Sequence, residues 1–66
     1  MGQEEFLTTF LVDRTDAGKV SIFGIYSKGS KVLFAEGHEE DIPQSLWRDV
    51  RRAKKGLSKF KVEEIP

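Results

Sequence analysis

The spacing of apolar positions changes once along the chain. Residues 5–12 (EFLTTFLV), 19–27 (KVSIFGIYS) and 31–36 (KVLFAE) are rich in aromatic and β-branched side chains, and DRTDAG and Lys28-Gly29 separate them. This predicts three strands joined by tight turns in which Gly18 and Gly29 supply positive φ, hence an antiparallel meander. Beyond Gly37 the repeat becomes helical: at about 100° per residue, Leu46, Val50, Ala53 and Leu57 share one stripe. Asp41 and Gln44 have the spacing of a capping box, Pro43 suits a first turn, and Gly56 suits a stop, so a helix is predicted over about Ile42 to Lys55. In the last segment, LSKFKVEEIP, Phe60 and Val62 either dock as a short fourth strand or belong to an extended tail. The expected fold is α+β. A three-stranded antiparallel curled sheet precedes one amphipathic C-terminal helix, as βββα or βββαβ, in a single domain over residues 1–66.

The strands alternate in an unusual way. Phe6, Phe10 and Val12 point one way and Leu7 and Leu11 the other; Val20, Ile22 and Tyr26 oppose Phe23 and Ile25. Both faces are apolar, and one short helix covers only one of them. Either the sheet curls over the second set, or a second copy or another protein covers it. Phe23, Ile25, Tyr26 and Trp47 are the candidate partner-binding residues.

Size and composition narrow the classes. A 66-residue chain without cysteine has neither a disulfide framework nor a thiolate zinc site, and it points to the cytoplasm. No apolar run approaches the roughly 18 residues of a membrane span, so no membrane association is expected. The formal net charge of zero hides a segregation. Residues 1–41 carry eight acids against four bases, and residues 42–66 carry three acids against seven bases.

Catalytic patterns are missing. DRTDAG starts like a calcium loop, but Thr15 and Ala17 stand where ligands are needed. There is no phosphate loop and no Gly-x-Ser-x-Gly elbow. His38, the single histidine, sits beside Glu39, Glu40 and Asp41 without a metal-ligand spacing, and these acids suit the positive end of the helix dipole. No catalytic residue, metal or cofactor is assigned, and the expectation is a binding module rather than an enzyme.

The chemistry that remains is basic. Arg48, Arg51, Arg52 and Lys55 fall on the helix face opposite the apolar stripe, at i, i+3, i+4 and i+7, with no acid among them. A solvated helix surface accounts for such a row in many proteins. Three arginines suit phosphate geometry, however, and Lys59 and Lys61 are candidates to extend the row. Nucleic acid is therefore the first expected partner, through phosphate contacts, although the pI of about 6.6 lies below the range of dedicated nucleic-acid binders. The alternative is a protein-interaction module, a homodimeric or partner-bound regulator or inhibitor of the small viral or mobile-element kind.

Two family resemblances bear on the fold. EFLTTFLVDRTDAGKVSIFGIYSKG resembles the opening of a chromo domain, with an aromatic after Glu5, an aliphatic run ending in Asp13-Arg14, and a second strand closing on Lys28-Gly29. GKVSIFGIYSKGSKVLFAEGHEEDIPQSL is similar in spacing to the small archaeal DNA-binding proteins of the seven-kilodalton type, including Glu39-x-Asp41-x-Pro43 entering the helix. Both imply a curled three-stranded sheet closed by a C-terminal helix. Neither carries over binding residues. Phe6 stands at one position of the chromo-domain aromatic cage, but Ser27 and Ser30 occupy two others and Tyr26 is out of phase. The sheet also carries few bases, where the archaeal proteins have a strongly basic sheet, and the helix carries most of them.

Overall fold

The computed structural model describes residues 4–15 and 17–65. Three antiparallel strands, β1 (Leu7–Arg14), β2 (Lys19–Tyr26) and β3 (Lys31–His38), are followed by a 3-10 turn (Glu39–Asp41), helix α1 (Gln44–Lys54) and strand β4 (Lys61–Ile65). The chain is α+β with βββαβ order. The sheet runs β3-β2-β1-β4, and β4 lies parallel to β1. α1 therefore carries the chain from one sheet edge to the other, as a parallel connection requires.

The hairpin turns carry Gly18 and Gly29 at φ of 83° and 96°. β1 reaches Arg14, two residues beyond the sequence expectation, because Asp13 and Arg14 pair with Ser21 and Val20 and leave a shorter turn. Helix bounds also differ from the expected Ile42 to Lys55. Asp41 does not cap α1; its Oδ2 accepts from the His38 backbone N–H at 3.3 Å and closes the 3-10 turn. Pro43 occupies the N-cap without a side-chain bond, and its carbonyl accepts from Leu46 and Trp47. At the other end Gly56 N–H bonds Ala53 O at 3.1 Å and Leu57 N–H bonds Arg52 O at 2.8 Å. These are the paired bonds of a glycine cap, and Gly56 has the required φ of 76°. The cap turns Leu57 out of the helix, so it leaves the apolar stripe and is 60% exposed.

One sheet face carries the core. Phe10 and Val12 of β1 meet Val20 and Ile22 of β2, with Ile42, Val50 and Ala53 above them. Leu46, Trp47, Phe60 and Val62 close the margins. Ile22 is fully buried, and a side chain of that kind contributes about 1.5–3 kcal/mol by leaving water. Two bulges break the simple alternation. One, between Leu7 and Thr9, brings Leu7 to the core with Phe10 instead of the opposite side. The other, in β3 opposite Ile22 and Phe23, leaves Phe34 unpaired and places its ring edge-on to Phe10, with centroids 6.3 Å apart.

No described element packs on the second face. The strand register gives it Leu11, Phe23, Ile25 and Leu33 at its centre. α1 thus covers one side of the sheet, and the other side keeps an apolar centre flanked by charged residues. No helix among the described residues is long and apolar enough to cross a membrane.

Candidate nucleic-acid interface

α1 presents its cations because its opposite side is anchored. Val50 and Ala53 are buried and Leu46 packs beside them, which fixes the helix rotation and turns Arg48, Arg51, Arg52 and Lys55 to the exposed side. Asp49 bonds none of the four; it lies on the flank of the helix away from Trp47. Arg52 also serves the helix end, with Nη2 donating to Leu57 O at 3.5 Å. A guanidinium has five N–H donors, so this contact leaves most of them for another partner.

Along one flank of the row runs a groove of about 470 Å³, floored by Val12 and Val50 and edged by Arg14, Glu39, Glu40, Gln44, Trp47, Arg51, Lys54 and Glu64. Its charges are paired in a definite way. Lys54 Nζ lies 2.6 Å from Glu64 Oε2, and Arg14 Nη1 lies 3.3 Å from Glu39 Oε1. The hydrogen bond from Lys54, reinforced by its charge, holds the Glu64 carboxyl below its ordinary value. Trp47 links the helix to the 3-10 turn: its indole N–H donates to Glu39 O at 3.1 Å, and the Arg14 guanidinium stands 5.7 Å from its ring centre. These pairs occupy two of the three carboxylates that line the groove, Glu39 and Glu64, with cations outside the helix row, while Glu40 forms no ion pair among the described residues. Among the described residues, Arg48, Arg51 and Lys55 form no ion pair.

The other expected site residues scatter. Lys59 lies exposed in the segment between α1 and β4, with Nζ 5.7 Å from the Phe60 ring centre. Lys61 pairs with Thr9, and that register turns it to the sheet face away from α1, so it does not continue the row. Phe23 and Ile25 come together on the open face. Tyr26, opposite Leu7, alternates to the other side, and Trp47 sits across the sheet on the helix. Arg14 and Lys54 escaped sequence reasoning, since Arg14 belongs to the acidic half and Lys54 sits outside the row of four. Lys31, Leu33, Glu36 and Asp13 also escaped, because only the register assembles them on one face.

Compared with known proteins, the chain matches no family model, no curated protein and no solved structure.

Proposed function

We propose that the outer face of α1 binds nucleic-acid phosphates through Arg48, Arg51, Arg52 and Lys55. One observation carries this reading. Glu39 and Glu64, two of the three carboxylates lining the groove beside the helix, are held by Arg14 and Lys54, while the outward cations Arg48, Arg51 and Lys55 form no ion pair among the described residues. Such a surface gains more from an incoming phosphate than a surface whose cations are internally paired, because each contact also releases condensed counterions. Three arginines add bidentate geometry. The groove beside the row is rimmed by charged and polar side chains over a floor of Val12 and Val50, and a row of cations contacts the phosphate backbone without reading bases.

The test is fluorescence anisotropy of a labelled random-sequence duplex, titrated across a salt series. Four phosphate contacts give a slope of log K against log salt of about −3.6. A variant carrying Arg48→Glu and Arg52→Glu, with an unchanged circular dichroism spectrum, loses binding. Absence of binding at low salt, or full binding by the folded variant, overturns the reading.

A further inference from the structure

The uncovered sheet face carries an ordered charge pattern. Across the strand order β3-β2-β1-β4, the register places Lys31, Ile25, Thr9 and Lys61 in one row. The next row is Leu33, Phe23, Leu11 and Glu63, and the third is Glu36, Ser21, Asp13 and Ile65. Across these three rows the charge runs from cationic through a mainly apolar middle to anionic, and Lys19 and His38, paired two residues farther along β2 and β3, place a further cation beyond the anionic row. Lys31 Nζ sits 4.4 Å from the Phe23 ring centre, over the apolar row, and Ser21 Oγ donates to Glu36 Oε2 at 3.1 Å within the third row. Leu33, in the apolar row, remains 48% exposed.

We infer that this face docks against the same face of a second copy of the chain, in a symmetric dimer whose two-fold axis runs across the strands through the Leu33-Phe23-Leu11 row. Rotation about that axis reverses the strand direction. The cationic row of each copy then lies over the anionic row of the other, and the apolar rows meet each other. Lys31 faces Glu36 of the second copy, twice by symmetry, and Lys61 comes within one strand of Asp13 of the second copy. Glu63 meets its own counterpart at the rim, where Lys61, two residues away on the same face, offsets the repulsion.

The pattern selects both the occupant and the axis. A two-fold along the strands would set Lys31 over Lys61 and leave the anionic row without cations. A partner of unrelated sequence has no reason to repeat this order of rows, whereas a self-complementary patch is what an isologous interface requires. Size sets the strength. Strands about 4.8 Å apart and side-chain rows about 6.6 Å apart give a face on the order of 400 Å². Counted over both copies that is about 800 Å², below the range of stable specific interfaces and among weak, transient ones, so the dimer is reversible and concentration-dependent. It leaves α1 of each copy on the outside, so it neither requires nor blocks the helix surface.

Sedimentation velocity over a wide concentration range tests this directly. The wild type shifts reversibly from monomer to dimer. Asp13→Lys with Glu36→Lys weakens the dimer about tenfold by setting like charges opposite each other. Adding Lys31→Glu and Lys61→Glu, which swaps the rows, restores it. A wild type that stays monomeric, or a dimer indifferent to both charge variants, overturns the inference. The interface can also be mapped without variants: on concentrating the wild type, backbone amide shifts move at Leu11, Phe23 and Leu33 and stay fixed at Val50 and Ala53. Movement centred on Val50 and Ala53 contradicts the interface.

Discussion

Gly24 lies directly under the ring of Phe34. A Cβ at Gly24 would stand 2.3 Å from Phe34 Cζ and 2.9 Å from Leu7 Cδ1. The β3 bulge that frees Phe34 from pairing thus depends on a glycine in the neighbouring strand, and the ring then reaches Phe10. Gly24→Ala is expected to destabilise the fold by about 1–3 kcal/mol through overpacking, read from urea unfolding. In a Phe34→Ala background the same change should cost far less. Additive effects in that double-mutant cycle would place the strain somewhere else.

Much of this architecture is legible in the sequence, and the residues explain where legibility stops. Three strands, two glycine turns and the helix follow from alternation, punctuation and the Leu46, Val50, Ala53 stripe. The bulges do not. Neither Thr8-Thr9 nor Leu33-Phe34-Ala35 contains a glycine or a breaker, and the phase shifts come from packing against β2. Nor does the parallel pairing of β4 with β1, since KVEEI offers only Val62 and Ile65 as apolar residues and its register depends on distant partners. The site divides in the same way. The helix cations are periodic within one element and can be read directly, whereas the charge rows of the sheet exist only after four strands are aligned.

The cap at Gly56 can be tested separately. No atom lies within 4 Å of the position a Cβ would take, so Gly56→Ala probes backbone conformation alone. With φ at 76°, an L-residue there is expected to cost about 1–2 kcal/mol in thermal or urea unfolding. A smaller loss would mean that the helix end re-forms without the left-handed residue.

The Lys54 and Glu64 pair joins α1 to β4 and predicts a pH dependence. Because the folded carboxyl is held below its ordinary value of 4.5, the pair adds stability above that pH and loses it as pH falls through the lower folded value. Side-chain carboxyl NMR should find the Glu64 midpoint moved upward in Lys54→Met. Coincident midpoints in the two proteins would remove the hydrogen bond as the cause.

In the account proposed above, nucleic acid and a second copy of the chain use opposite sides of the sheet layer. The most direct measurement is an amide chemical-shift map of the protein titrated with a short DNA duplex at low salt and fixed protein concentration. The expected perturbations fall on Arg48, Arg51, Arg52 and Lys55, with Leu11, Phe23 and Leu33 unmoved. Perturbations centred on the sheet face, or none at all, would contradict the assignment of the helix to phosphate binding.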